Sequence, residues 1–196
     1  MPCIFLSASI PLPLRHPEYP ETADVVAILD SIGALVSAVM PSGQIVFGGH
    51  PAITPLIHLL VGRMTQHMLK HVILYQSRFF KTQSRPEVPE FEEVRFIDAV
   101  DGDLEASLTK MREVMISSHN FDAAVFLGGM QGVEIEYDIF RRFHPSKPVY
   151  PIASTGAVAR VLFEKHSPDR LELMNDRRYV SLFRRLLHQP PAGIDT

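Results

Sequence analysis

The chain has 196 residues, 46% of them hydrophobic, which is enough for one well-filled core and short for two domains. A formal charge of -3 and a pI near 6.3 exclude a general nucleic-acid binder, which needs a basic surface. One cysteine, Cys3, cannot form an internal disulfide, and no apolar run approaches the roughly 20 residues of a membrane span. With no signal-peptide pattern at the N-terminus, the expectation is a cytoplasmic protein with no membrane contact.

Ile4-Phe5-Leu6-Ser7 reads as a buried strand, and Pro11, Pro13, Pro17 and Pro20 bar a regular helix from residues 8–23. Asp24 then caps a helix in which Val25, Ile28, Leu29, Ile32, Leu35, Val36 and Val39 recur at helical spacing. Pro41-Ser42-Gly43 stops it. Gln44-Ile45-Val46-Phe47 is the second strand and ends in Gly48-Gly49-His50-Pro51; an apolar helix follows from about Ile53 to Met68, then a third strand, Val72-Ile73-Leu74-Tyr75. Residues 77–92, mixing Arg78, Lys81, Arg85, Pro86 and Pro89 with acidic residues, predict an excursion over the surface rather than core.

Val94-Arg95-Phe96-Ile97 predicts a strand, and Asp101-Gly102-Asp103 caps a helix over Leu104 to Ser117. The apolar run Ala123-Ala124-Val125-Phe126-Leu127 passes directly into Gly128-Gly129-Met130-Gln131-Gly132-Val133-Glu134-Ile135-Glu136, and the helix begun there ends near Phe143. Pro148 to Ile152 forms a last strand. Ser154-Thr155-Gly156 leads into a helix through Phe163, a terminal helix covers Asp176 to Leu187, and the tail over 189–196, with Pro190-Pro191, reads as disordered. Strands alternating with helices define an α/β fold: a Rossmann-like parallel sheet with helices on both faces, a single domain over 1–188.

Ligands bind such sheets beyond the carboxyl ends of the strands, where the chain order reverses. That geometry gathers four turns at one edge: Ser7 to Arg15, Gly48 to Pro51, Gly128 to Gly132, and Ala153 to Gly156. A strand running into a glycine turn and then a helix with acidic first turns suits phosphate and ribose, because glycines let backbone N–H groups approach an anion. The chain resembles the SLOG superfamily, the Rossmann-like group of the Lonely Guy phosphoribohydrolases and the DNA-processing Smf/DprA proteins. Lonely Guy enzymes carry Pro-Gly-Gly-x-Gly-Thr-x-x-Glu after a core strand; Gly128-Gly129, Gly132 and Glu136 match in order. Leu127 replaces the proline, one extra residue precedes Gly132, and Val133 replaces the threonine. Gly-Gly-Met-x-Gly-Val, with Phe5 to Pro11 and Val46 to Pro51, is similar to the ligand-sensing branch associated with TIR and sirtuin-like effectors in antiphage systems. The resemblance covers most of residues 3–165.

It implies binding of a nucleotide or an NAD-derived molecule such as ADP-ribose, with no required cofactor, a TIR-type protein partner and a homodimer or larger assembly. The expected ligand residues are Ser7, Ser9, Arg15, Gly48, Gly49, His50, Arg78, Gly128, Gly129, Met130, Gly132, Glu136, Ser154 and Thr155. Backbone amides at Gly48-Gly49 and Gly128-Gly132 hold phosphates in this reading, and Glu136 accepts ribose hydroxyls. Ser7 and Ser9 can instead simply complete strand-end turns, and Arg15 can be an ordinary solvated loop residue.

Three functions stay open: a sensor, an N-glycosidase using Glu136 with Glu134 beside it, and a dimeric interaction module that binds no ligand. The module reading rests on the apolar surplus of the second helix. There is no P-loop, nucleophile elbow or dinucleotide fingerprint. His67 and His71 stand four apart, as metal ligands do, but with no accompanying Glu-plus-His pattern a helix-end role is expected and no metal is assigned.

Overall fold

The computed structural model describes residues 1–12, 19, 21–40, 42–64, 66–82 and 91–188. Six parallel strands, β1 (Cys3–Ser9), β2 (Gln44–Gly48), β3 (Val72–Ser77), β4 (Glu93–Ile97), β5 (Ala123–Gly128) and β6 (Val149–Pro151), form one sheet in the order β4-β3-β2-β1-β5-β6. All five pairings are parallel, and the chain order reverses between β1 and β5. The fold is thus a Rossmann-like α/β arrangement.

Period-two alternation builds its two faces. Ile4, Leu6, Ile45, Phe47, Val72, Leu74, Val125 and Leu127 face one core with α1 (Val25–Val39) and α2 (Ile53–Met64). Phe5, Val46, Ile73, Tyr75, Ala124 and Phe126 face the other, with α3 (Leu104–Ser117), α4 (Gln131–Phe143) and α5 (Ala157–His166). Continuous apolar runs, rather than alternating ones, follow from this double burial. Asp24 Oδ1 accepts from Ala27 N–H at 2.9 Å and Asp103 Oδ1 from Ala106 N–H at 3.0 Å, so both expected caps form.

The structure departs from the sequence reading in three places. The second helix ends at Met64, and a 3₁₀ segment, Gln66–His71, follows, with His71 Nδ1 3.0 Å from the Gly43 carbonyl. Gly62, with nothing to pack and a poor helix propensity, weakens that last turn. The excursion after β3 returns to the core, because Phe91 is buried between the rings of Phe47 (6.0 Å) and His58 (5.2 Å). The C-terminal region holds two helices, α6 (Glu172–Asn175) and α7 (Tyr179–His188), and α7 packs Leu182 and Phe183 on the α1 face. The tail over 189–196 and the side chain of His67 lie outside the described residues.

Cys3 is half-buried, its thiol donates to Gln44 Oε1 at 3.8 Å, and burial with the nearby Asp122 pushes its pKa up to about 11. It stays protonated and unreactive. Among the described residues no helix is long and apolar enough to cross a membrane.

The turn after β6 closes tightly. Gly156 has φ +71°, and a Cβ there would stand 1.7 Å from the Thr22 carbonyl oxygen, while Thr22 Oγ1 accepts from Ala157 N–H at 2.9 Å. Gly156→Ala is therefore expected to cost about 3 kcal/mol or more, since strain and backbone overlap add. A lowered urea midpoint at unchanged m-value would show it.

Candidate functional site

The ends of β1 and β2 meet α3 and α4 around a cavity of about 530 Å³ beside the reversal point. Ser9, Ile10 and Leu12 line it from the β1 end, and Gly48 to Ile53 from the β2 end. Leu108, Met111 and Arg112 close it from α3, and Met130 to Val133, Ile135 and Glu136 from α4, with Phe80 and Glu105 at further points. Much of this wall is apolar. A second depression of about 380 Å³ lies over Leu171 to Arg178, away from the strand ends. There Asp176 is bound to Arg178 and Arg185, hydrogen bonds that hold its carboxyl down at about 2.

The polar centre of the cavity is a buried triad. Ser7 Oγ donates to Glu136 Oε2 at 2.6 Å, and Arg112 Nε lies 3.4 Å from Glu136 Oε1. The Arg112 and Glu136 side chains are only 10% and 14% exposed, so the ion pair is poorly screened. Burial raises the Glu136 pKa, with Arg112 and the Ser7 hydroxyl pulling it back down. Arg112 Nη1 is buried and has no hydrogen-bond partner among the described residues. Its Nη2 stands 2.9 Å from where a Cβ on Gly132 would be, so glycine is what lets the guanidinium lie against the first turn of α4.

The glycine turn after β5 serves geometry before chemistry. Gly128 and Gly129 have φ +55° and +99°, and added Cβ atoms would meet Ile28 Cδ1 at 2.4 Å and Val133 Cγ2 at 2.6 Å. Their amides are already occupied: Gly128 N–H donates to Thr155 Oγ1 and Gly129 N–H to the Ser9 carbonyl, both at 2.9 Å. Gly49 N–H likewise donates to the Tyr75 carbonyl at 2.9 Å. Among the described residues, the amides left open come later, at Gln131 and Gly132, the first helical residues of α4. No i−4 carbonyl exists for them, and Met130 supplies no side-chain cap.

Of the expected ligand residues, Ser9, Gly48, Gly49, His50, Met130, Gly132 and Glu136 line the cavity. Ser7 stands behind Glu136. His50 Nδ1 accepts from Ala52 N–H at 3.2 Å, so its neutral ring carries the proton on Nε2. The others are placed elsewhere. Ser154 Oγ lies 3.0 Å from Tyr179 Oη, and Thr155 Oγ1 donates to the Ile152 carbonyl at 2.6 Å, so both hydroxyls work inside the fold. Arg78 pairs with Asp98 at 2.8 Å and covers the Phe96 ring. Glu134 accepts from Tyr19 Oη and Lys165 Nζ, each at 3.3 Å, and does not line the cavity. Arg15 lies outside the described residues.

Arg112 escaped the sequence reading. Its signal was there: it follows Leu108 by four residues and adjoins Met111, which sets a cation on the apolar face of α3.

An open parallel sheet with a cavity beside its reversal point, bordered by the start of the helix that follows the glycine turn, defines a Rossmann-like class of protein. The model of the SLOG cluster3 family matches residues 18–187, and the chain belongs to that family. The match extends past the resemblance read over 3–165 to take in α6 and α7. Membership associates the chain with a nucleotide-related role. Neither curated proteins nor solved structures give a match.

Arg112→Met is expected to destabilise the fold by about 3 kcal/mol or more at neutral pH, because it leaves the Glu136 carboxylate buried without its cation. A raised carboxyl pKa costs stability only while the group is ionised, so the deficit shrinks as pH falls through that pKa. Urea unfolding at about pH 7.5 and about pH 5 would show this, and adding Glu136→Gln should recover most of the loss.

Proposed function

We propose that this cavity binds a nucleotide or NAD-derived ligand of the ADP-ribose kind and that the protein is a sensor in antiphage signalling. One observation carries the reading: a buried guanidinium whose Nη1 donor is unmet among the described residues, next to a buried carboxylate, at a cavity of small-ligand size. An unsatisfied buried donor costs roughly 1–3 kcal/mol, and a ligand phosphate oxygen would remove that cost. The open Gln131 and Gly132 amides at the positive end of α4 favour the same anion. Glu136, pinned between Ser7 and Arg112, has lone pairs left for ribose hydroxyls. The apolar wall of Ile10, Leu12, Phe80 and Leu108 suits a base. A carboxylate held this firmly favours binding over turnover. Under this reading the signal passes to a TIR-type partner and the protein self-associates.

A second reading rests on the same carboxylate. Burial that raises the Glu136 pKa is also how enzymes tune an acid–base group, which supports N-glycosidic cleavage in which water adds at the anomeric carbon and the base departs protonated.

A thermal-shift screen with AMP, ADP-ribose, NAD and cyclic ADP-ribose isomers, each mixture then run on a column, tests both. A ligand at about 100 times its Kd stabilises by roughly 2.7 kcal/mol. The sensor reading expects a raised Tm with the ligand intact, and expects Glu136→Gln to weaken binding in a folded protein. Release of free base, abolished by Glu136→Gln while binding persists, would instead make it a glycosidase. No shift and no product would overturn the nucleotide reading.

A further inference from the structure

A second polar cluster lies outside the cavity, where α3 ends. Tyr75 on β3 is buried, and its hydroxyl accepts from Arg95 Nη1 on β4 at 2.8 Å. The same hydroxyl lies 2.9 Å from His119 Nε2, and Arg95 Nη1 lies 3.3 Å from that nitrogen. Arg95 in turn binds Glu93 through Nε and Nη2. His119 follows the α3 C-cap, Ser118, and its ring packs on those of Tyr75 (5.8 Å) and Phe121 (5.5 Å).

Donor logic decides the protonation state. A guanidinium only donates, so the Tyr75 hydroxyl accepts from Arg95 and turns its own proton toward His119. His119 Nε2 must then offer a lone pair, and the ring is neutral with its proton on Nδ1. A protonated ring would have to donate to the Tyr75 oxygen, turning the hydroxyl proton away from His119, and would place a cation 3.3 Å from a guanidinium nitrogen.

We propose that His119 is a positioning residue: its Nε2 lone pair fastens the end of α3 to β3 and β4, and its protonation releases that end and slackens Arg112. Arg112 sits seven residues back on α3, about two turns away. Met111 beside Arg112, and Met115 and Ile116 between Arg112 and His119, are buried with Ile73 and Tyr75, so the helix is held by apolar contact along its length and by His119 at its end. The consequence for a ligand rests on the reading of Arg112 given above; the latch itself does not.

The charged groups acting on His119 are Arg95, which disfavours its cation, and Glu93, which favours it; burial lowers its pKa further and is the larger cause. A base whose folded pKa is lowered is neutral in both states above its ordinary pKa, near 6.5, where the latch is fully present. As pH falls below that value the unfolded chain takes up the proton first. The folding equilibrium constant then drops by up to about tenfold per pH unit until the folded pKa is reached. The carboxyl of Asp176, held at about 2, titrates below this window, and Glu136, with a raised pKa, acts in the opposite direction.

The test uses the ligand-free full chain, as wild type, His119→Gln and Tyr75→Phe, at about pH 7.5 and about pH 5.5. Glutamine places an amide oxygen near the position of Nε2 and does not titrate. Hydrogen exchange of the α3 amides from Val114 to Ser118, corrected for intrinsic rates, is expected to quicken several-fold at the lower pH in wild type. His119→Gln should stay protected at both, and the wild-type Tm should fall further than that of His119→Gln. Tyr75→Phe, lacking the bridging hydroxyl, should exchange fast at both. Equal pH dependence in wild type and His119→Gln would overturn the latch, as would faster exchange spread evenly over the chain. No ligand enters, so failure here leaves the nucleotide reading untouched, and failure of that reading leaves this result standing.

Discussion

Burying a carboxylate and a guanidinium at the edge of a parallel sheet constrains everything near them. Each ion alone would cost several kcal/mol to remove from water, so neither Glu136 nor Arg112 is tolerable without the other and without further hydrogen bonds. Ser7, on the α4 face of β1, supplies one such bond to Glu136. Gly48 and Gly132 leave the space: a Cβ on Gly48 would lie 3.9 Å from Glu136 Oε1, and one on Gly132 would press on Arg112. Strand end, helix and glycine turn are all positioned by this one pair.

The pair remains incomplete among the described residues, and the proposed function rests on that. Buried polar atoms in folded proteins almost always find partners. Among the described residues Arg112 Nη1 is the exception, and Arg112 lines the cavity to which seven of the expected ligand residues also contribute. Under the proposed function an anion supplies the missing partner, which would couple its binding to the packing of α3 and α4.

That coupling gives α3 a central place. One end of it contributes Glu105, Leu108 and Arg112 to the cavity, and the other is tied to the two outer strands through Tyr75, Arg95 and His119. A helix anchored at both ends by polar contacts and along its middle by Met111 and Met115 moves as a unit. The proposed latch at its far end would therefore act on the Arg112 guanidinium.

Sequence alone determined the sheet, its helices and the edge that carries the cavity. Runs such as Ala123 to Leu127 bury both faces, and local caps such as Asp24 and Asp103 mark helix starts through contacts three residues away. Those signals are short-range, and so they are legible. Glu136 was legible too, because its spacing from the glycines lies within one turn and helix. Tertiary structure alone decided which polar groups stay free. Ser154 and Thr155 look like ligand hydroxyls until Tyr179 and Gly128, 25 and 27 residues away, claim them. The amides of Gly49, Gly128 and Gly129 look available until neighbouring strand ends accept them, which moves the open donors to Gln131 and Gly132. Arg112 reads as an ordinary helix cation until Glu136, 24 residues on, folds against it. A hydrogen bond needs two partners at about 3 Å, and only the folded chain brings distant ones together.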